Sequence, residues 1–274
     1  MTAMAHLKLL LLLLWVGITV STGVDLHKRI YGGQKCPDTE RRYHVTLMAK
    51  HGTSGNTAYL CGGSLIHERW ILTAAHCWKN EPGWDMYVTL GVHPQPSWIK
   101  LLFQRSSDKK KEVEITGRSF FVGINTFEDI MLLEIPPQTG RKTVALPDCA
   151  KPPKEGDVVQ VAGLGGYMVD ATGHTLPDQP PHLQCANMHV VDCEPTRNSA
   201  CHSDVPYDNR LCLEEPNVDA RHGDSGGGVI YNNMIYGVIS GGGKRVCTEP
   251  VVTVNVCPYM NWINQKINPK SNGK

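Results

Sequence analysis

One short stretch, Gly223-Asp224-Ser225-Gly226-Gly227, carries the strongest signal in this 274-residue chain. Asp, Ser and Gly are ordinary turn formers, so the stretch predicts a tight turn at the least. It also fits a nucleophilic serine on a glycine-permitted turn, where the backbone N–H groups of Gly223 and Ser225 point together and stabilise an oxyanion. Taken alone, the stretch leaves both interpretations open.

Two other segments supply what a nucleophilic serine needs. Thr73-Ala74-Ala75-His76-Cys77 follows a strand-like run, and Asp129 opens the apolar run Asp129-Ile130-Met131-Leu132-Leu133. Alone, the histidine is best interpreted as structural and the aspartate as a strand-leading turn residue. A serine nucleophile, however, requires a base and a carboxylate that orients the base, and the chain supplies them in the order His, Asp, Ser. The combination predicts acyl transfer by Ser225.

The rest of the chain has the pattern of an all-β protein. Short apolar runs recur at 43–48, 70–73, 85–90, 130–135, 158–162, 228–231 and 234–240, and many of the 27 Gly and 18 Pro fall between them. Many short strands with such punctuation predict a sandwich or barrel. Only 258–267 has helical spacing, with Met260, Ile263 and Ile267 on one face. The Lys-rich segment 108–112 is predicted to be an exposed loop.

The amino terminus indicates the compartment. Lys8 precedes an apolar run from Leu9 to Ile18, which ends near the small residues Ser21 and Gly23. This arrangement predicts a secretory signal peptide over 1–23. The alternative, a membrane anchor, needs about 20 apolar residues, so we expect no membrane span. All ten cysteines lie beyond the signal, which fits a secreted, extracellular protein; storage in a granule stays open.

Composition excludes two other classes. Lys and Arg number 27 against 26 Asp and Glu, and 41% of the residues are hydrophobic. A nucleic-acid-binding domain normally has a basic surplus, and a disordered chain has low hydrophobicity with a high net charge. We therefore expect a globular protein with no nucleic-acid partner.

Further motifs identify a family resemblance. Besides the segments of His76, Asp129 and Ser225, they are Ile30-Tyr31-Gly32-Gly33, Cys61-Gly62-Gly63-Ser64-Leu65 and Ser240. With these motifs the chain resembles the trypsin/chymotrypsin family of serine endopeptidases over essentially its whole mature length. The resemblance implies two six-stranded antiparallel β-barrels with a C-terminal helix, formed by residues 30–270, with the catalytic residues in the cleft between the barrels.

The resemblance also implies a role for each matched residue. His76 is the general base and then the general acid, Asp129 orients it, and Ser225 attacks the scissile carbonyl. Gly223 and Ser225 supply the N–H groups of the oxyanion hole. Ser240 is expected to hydrogen-bond the carboxylate of Asp129.

Activation is implied by a basic pair before Ile30. Cleavage after Arg29 by a trypsin-like protease would remove a propeptide of residues 24–29. In the family the freed amine pairs with the aspartate before the nucleophile, and this pair orders the oxyanion hole. Here the partners would be Ile30 and Asp224.

The ten cysteines are consistent with five bridges, although number alone does not fix the pairing. The resemblance implies Cys36–Cys185, Cys61–Cys77, Cys149–Cys257 and Cys193–Cys212. The remaining Cys201 and Cys247 fall in two loops that are neighbours in the family fold, so we expect a bridge between them. In the family a further disulfide lies beside the primary specificity pocket, but here Arg221 replaces its first cysteine. The expected Cys201–Cys247 bridge would lie next to that pocket.

The specificity pocket departs from the family pattern. Asp219 stands where trypsin-like members carry the carboxylate that receives substrate Arg or Lys, which predicts cleavage after basic residues. Against this, Val251 replaces a glycine of the pocket wall, and Arg221 is near enough in sequence to neutralise Asp219. Specificity for a small or unusual side chain therefore stays open. The other expected substrate-binding residues are Ser240 and Gly242.

No cofactor or metal is expected. Val92 stands where the calcium loop of trypsins would need a carboxylate, and no cysteine–histidine cluster has zinc spacing free of the expected bridges. The expected partners are protein or peptide substrates, an activating trypsin-like protease and serpin-type inhibitors, and the protein is expected to be a monomer. An alternative is a catalytically weak or inactive homologue that acts as a binding protein, although such relatives typically lack a triad residue.

Overall fold

The structure is a computed structural model that describes residues 30, 32–94, 109–123, 127–165, 167–169, 175–176, 182–198, 204–220, 222–241 and 249–269. Several sequence predictions fall outside these ranges. They are the signal peptide, the propeptide with Arg29, the Cys201–Cys247 bridge, and the pocket residues Arg221 and Gly242. None of the helices in the described part combines the length and the apolarity that a bilayer crossing requires.

The described chain is built mainly from short antiparallel strands. In order, they are β1 (Gln34–Lys35), β2 (His44–His51), β3 (Thr57–His67), β4 (Trp70–Thr73), β5 (Trp84–Leu90), β6 (Lys111–Glu114), β7 (Gly117–Val122), β8 (Phe127–Glu134), β9 (Val158–Gly163), β10 (Tyr167–Val169), β11 (Thr175–Leu176), β12 (Gln184–Val191), β13 (Arg210–Glu214), β14 (Gly228–Tyr231), β15 (Met234–Gly241) and β16 (Val251–Asn255).

The second half of the chain forms a closed six-stranded barrel. Its strands run in the order β12-β13-β16-β15-β14-β9, and β9 pairs back onto β12 with Ala162 opposite Cys185. Strand β1 from the start of the domain adds to the outside of β12. Closure pairs each of the six barrel strands with two neighbours, so none of the six is an edge strand.

The first half forms a half-barrel. Its strands run in the order β6-β5-β2-β3-β4-β8-β7, and β10 pairs with β3 and β11. Over the described residues, no pairing joins β6 to β7. The all-β fold class is confirmed, as one closed barrel, one half-barrel and a short C-terminal helix.

The centre of the first half is the apolar run that follows Asp129. Ile130, Met131, Leu132 and Leu133 of β8 are all fully buried. A continuous apolar run without alternation fits a strand covered on both faces, and β8 lies between β4 and β7. This run therefore fixes the carboxylate at its start against the core.

The C-terminal helix α1 (Met260–Ile267) follows a turn of 3-10 helix at Cys257–Tyr259. Ile263 is fully buried, and Met260 and Ile267 pack against the same core cluster. The helical spacing of these three residues is therefore reproduced by the structure.

The prediction of an exposed loop over 108–112 is wrong in its second half. Lys111 and Glu112 begin β6, which pairs with β5 and places Thr89 opposite Glu112. The lysines suggested a solvated loop, but the alternation around the buried Val113 suits an edge strand.

Four disulfides occur in the described residues. They join Cys36 to Cys185, Cys61 to Cys77, Cys149 to Cys257, and Cys193 to Cys212. These are the four pairs that the family resemblance implies. The Cys36–Cys185 bridge ties the N-terminal segment to β12 of the closed barrel.

Candidate active site

His76 is held on a tight turn directly after β4. The turn, Ala75–Cys77, is a single turn of 3-10 helix, and the small side chains of Ala74 and Ala75 are buried beneath it. The disulfide from Cys77 to Cys61 ties this turn to β3. The imidazole is consequently carried at the surface, with 41% of its side chain exposed, on a braced piece of backbone.

Asp129 lies under His76 and is nearly completely buried. Its Oδ1 accepts a hydrogen bond of 2.9 Å from the backbone N–H of His76, and its Oδ2 lies 2.8 Å from His76 Nδ1. The hydroxyl of Ser240 donates a further hydrogen bond of 2.5 Å to Oδ2. With the imidazole proton on Nδ1, three donors surround the carboxylate and leave Nε2 as the nitrogen that can accept a proton.

Ser225 lies on the turn that precedes β14 of the closed barrel, where the turn contacts β3 of the first half. Its Oγ donates a hydrogen bond of 3.2 Å to the carbonyl of Ser240, the residue that also bonds Asp129. The turn is formed with two glycines at positive φ, Gly223 (90°) and Gly226 (80°). The three predicted residues are therefore brought to one place, with Ser240 joining the serine to the aspartate.

Hydrogen bonds of Gly62 in β3 connect the turn that carries Ser225 with Thr73, the last residue of β4. The Gly62 N–H donates a hydrogen bond of 2.8 Å to the carbonyl of Ser225, and the Gly62 carbonyl accepts one of 2.8 Å from Thr73 Oγ1. A Cβ on Gly226 would lie 2.2 Å from Thr73 Oγ1 and 2.3 Å from the Gly62 carbonyl oxygen. The close approach of the Ser225 turn to Thr73 and Gly62 therefore requires glycine at position 226.

Ile30 and Asp224 also meet, both fully buried. The backbone nitrogen of Ile30 lies 3.0 Å from Asp224 Oδ2, and the N–H of Gly165 donates to Oδ1 at 3.0 Å. Gly163 makes room for this carboxylate, because a Cβ there would lie 1.9 Å from Asp224 Oδ1.

Sequence reasoning missed a buried acid next to Asp129. Glu128 accepts a hydrogen bond of 3.2 Å from Asn209 and a very short one from the hydroxyl of Tyr259. Burial, reinforced by Glu128, raises the pKa of Tyr259, so the phenol stays protonated and remains a donor. These contacts tie the chain next to Asp129 to the base of the C-terminal helix. No local pattern marks Glu128, since its partners come from distant segments.

Two of the residues expected to determine specificity are Asp219, in the segment between β13 and β14, and Val251, the first residue of β16. Asp219 and Val251 are 2% and 1% exposed. Val251 lies opposite Leu213 in the β13–β16 pair and belongs to the same core cluster as Ala220. Thr253 is also buried and donates a hydrogen bond of 2.7 Å to the Leu211 carbonyl.

Cys61, His76 and Cys77 bring their side-chain donor atoms close together, as metal ligands would. The two sulfurs are joined in a disulfide, so no thiolate is left to bind an ion. The grouping therefore reflects the bridge beside His76.

The pKa of His76 is raised. Burial alone would lower it, but the hydrogen bond to Asp129 and the negative charges of Asp129 and Asp204 outweigh the burial. Asp204 was not identified from the sequence; its carbonyl accepts a hydrogen bond of 3.0 Å from the N–H of Asp129. An electrostatic neighbour of the imidazole thus comes from a loop of the second half.

Removing this neighbour is expected to shift the pH dependence of activity. The expected general-base role of His76 requires its neutral form, so activity is expected to fall on the acid side of its pKa. In Asp204→Asn one of the charges that raise the pKa is gone, and the acid limb of the kcat/KM profile should move to lower pH while the plateau changes little. Asp208→Asn is a suitable control, since Asp208 does not contribute to the pKa of His76. An acid limb that stays in place in Asp204→Asn would contradict the assignment.

Comparison with known proteins shows the family of this chain. A profile of the Trypsin family matches residues 30–263. β-Fibrinogenase brevinase of Gloydius blomhoffii is 33% identical over 249 residues, covering 87% of this chain and 96% of that protein. Snake venom serine protease serpentokallikrein-1 of Protobothrops mucrosquamatus is 31% identical over 249 residues, with 87% of each chain covered. Salmobin of Gloydius halys, another snake venom serine protease, is 32% identical over 250 residues, also with 87% of each covered.

The fold and these similarities define a serine-type endopeptidase. More narrowly, the chain belongs to the trypsin family of serine proteases. Its similarity to venom proteases also indicates an extracellular protein.

Proposed function

We propose that this chain is the zymogen of a secreted serine endopeptidase, in which Ser225, His76 and Asp129 form the catalytic triad. The observation that carries the proposal is the buried carboxylate of Asp129, which is surrounded by hydrogen bonds from His76 and Ser240. A carboxylate held this way fixes the tautomer of the imidazole and stabilises its protonated form.

Each step of peptide hydrolysis then has a residue. His76 Nε2 takes the proton of Ser225 Oγ while Oγ bonds to the scissile carbonyl carbon, and the carbonyl oxygen becomes an oxyanion. The N–H groups of Gly223 and Ser225 stabilise that oxyanion. His76 next gives its proton to the leaving amine as the C–N bond breaks, and water repeats the sequence on the acyl-enzyme. Ser225 Oγ must turn from the Ser240 carbonyl towards His76 for the first step.

Activation by cleavage after Arg29 is supported by the setting of Ile30. Its backbone nitrogen already lies at Asp224, yet its φ of 42° is one that a β-branched residue rarely adopts. Such a conformation costs on the order of 1–3 kcal/mol. Cleavage removes the preceding residue that defines φ and turns the amide into an ammonium, so it relieves the strain and adds an ion pair.

The same proposal assigns primary specificity to Asp219. A buried carboxylate at the base of the pocket would receive the Arg or Lys side chain of the substrate. The side chain of Val251, which is also buried, would leave less space in the pocket than a glycine at this position. Four of the relatives are named β-fibrinogenases, which makes fibrinogen a sensible first protein substrate. A positional-scanning peptide library would reveal the preferred side chain, and a preference for small residues would reject the role of Asp219.

Labelling with a fluorophosphonate tests the zymogen. The uncut protein should react slowly, and cleavage after Arg29 should raise the labelling rate by at least about tenfold, because the ion pair orders the oxyanion hole. Arg29→Gln, treated with the same activating protease, should keep the uncut rate. Absence of labelling in protein shown by N-terminal sequencing to begin at Ile30 would instead favour the inactive homologue.

The bridge between Cys201 and Cys247 remains part of the proposal. Peptide mapping without reduction should recover these two cysteines in one linked fragment. A Cys201 thiol that alkylates in the native protein would refute it.

A further inference from the structure

A large pocket lies at the junction of the two halves, and none of the triad residues lines it. Its volume is about 860 Å³. The first half contributes the segment 39–43 before β2, the connection contributes 142–144, and the closed barrel contributes Gln160 of β9 and the turn at Asn232 and Asn233. Pockets of about 300–1,000 Å³ are those that take small-molecule ligands.

The wall of this pocket contains a buried arginine. Arg41 is 7% exposed. Its Nε donates a hydrogen bond of 3.0 Å to Gln160 Oε1, which also accepts a very short bond from one Nη, and the other Nη donates at 2.5 Å to the hydroxyl of Tyr43. These bonds use three of the five N–H groups of a guanidinium and leave two that they do not use.

Both partners of Arg41 are neutral. Gln160 carries no charge, and burial raises the pKa of Tyr43 in spite of the opposing effect of Arg41, so the phenol keeps its proton. No ion pair among the described residues includes Arg41. A buried charge without a counterion is costly, and an anionic ligand would lower that cost.

The remaining charges around the pocket favour the same sign. Arg42 and Lys142 line it together with Arg41, and Glu40, which is exposed, is the carboxylate among the described lining residues. Arg42 Nε donates to the Asp38 carbonyl at 3.2 Å, so its position at the rim is fixed. The lining thus has three cations against one anion.

The backbone presents Arg41 in an unusual way. Its φ is 52°, in the left-handed region that residues other than glycine seldom adopt. Strain of this kind persists where the surroundings hold it, often at ligand sites. The carbonyl of Arg41 accepts a hydrogen bond of 2.9 Å from the N–H of His44, which opens β2.

We propose that this pocket binds a tetrahedral oxyanion carried on a polar small molecule, namely the sulfate or phosphate ester of a sugar, with Arg41 as the principal charge. Arginine is suited to such groups because its planar N–H fork matches two of their oxygens. A single ion would fill a small part of the volume. The hydroxyls of Thr39 and Thr143 and the amide of Asn232 line the remainder and can bond sugar hydroxyls.

Isothermal titration of the full secreted chain tests the proposal with four probes. They are N-acetylglucosamine 6-sulfate, N-acetylglucosamine 6-phosphate, the parent sugar and inorganic sulfate. At least one ester should bind about tenfold more tightly than either the parent sugar or inorganic sulfate, since each of those supplies only part of the contacts. The two esters together show which anion the site prefers.

Variants locate the site. Arg41→Gln should weaken ester binding by at least about tenfold, and Lys142→Gln by about threefold, as expected for buried and rim charges. Lys154→Gln, which removes a cation elsewhere on the surface, should leave binding unchanged. If Arg41→Gln fails to fold, the effect of Lys142→Gln on ester binding tests the proposal.

Three results would overturn the proposal: no ester binding by the wild-type chain, equal affinity for inorganic sulfate, or equal weakening by Lys154→Gln. Hydrolysis of a small peptide substrate by the activated Lys142→Gln variant should match the wild type. The outcome is therefore independent of the proposed protease mechanism.

Discussion

Replacement of Ser225 by Ala is expected to lower kcat/KM of the activated protein by roughly 10⁶-fold, the effect seen when a triad nucleophile is removed. The reason is that no acyl-enzyme can form without Oγ, even though binding and the oxyanion hole remain. Fluorophosphonate labelling should disappear altogether. Peptide hydrolysis and labelling, measured side by side after cleavage at Arg29, check both effects.

The control for this variant is Ser54→Ala, which removes an exposed serine in the turn after β2. It should retain wild-type labelling and turnover. Equal melting temperatures for the two variants would show that the loss at Ser225 is chemical. Labelling of Ser225→Ala at the wild-type rate would mean that another residue is the nucleophile.

Replacement of Asp224 by Asn should prevent activation without preventing cleavage. Asp224 is fully buried and meets the nitrogen of Ile30, so after cleavage the asparagine would face an unpaired ammonium. Breaking a buried ion pair by removing one partner costs about 3–5 kcal/mol, which corresponds to a loss of activity of roughly 10²- to 10⁴-fold. N-terminal sequencing would verify cleavage, and active-site titration would measure the competent fraction.

Two further variants make the Asp224 experiment specific. Asp85→Asn removes an exposed carboxylate and should activate normally. Gly163→Ala keeps the carboxylate but places a Cβ 1.9 Å from its Oδ1, so it should also impair activation. Full activity of cleaved Asp224→Asn would show that the new amine needs no carboxylate partner.

Local patterns predicted the strands whose burial is set by their own residues. The bounds of β4 and β14 match the apolar runs 70–73 and 228–231, and the run after Asp129 became the buried core of β8. Strand β3 was missed because it combines polar residues with Gly62 and Gly63. Its position depends on pairing with β2 and β4, which a reading along the chain does not reveal.

The residues of the candidate site likewise divide into those that the sequence predicts and those that depend on distant parts of the fold. His76, Asp129 and Ser225 were predicted because a reaction requires those side chains together. Gly163 could not be predicted, since it contributes the absence of a Cβ next to the distant Asp224. Asp204 likewise acts through its charge across the fold, on a residue from the other half of the chain.

The hydrogen bonds of Gly62 hold the site together without involving the side chains that are proposed to react. The relative position of His76 and Ser225 is supported by the hydrogen bonds from the Gly62 N–H to the Ser225 carbonyl and from the Thr73 hydroxyl to the Gly62 carbonyl, not by contact between the two side chains that are proposed to react. Deleting the serine hydroxyl therefore leaves the cleft in place. A cleaved Ser225→Ala protein should hold intact substrates in register without consuming them, and so serve as a bait for isolating its natural targets.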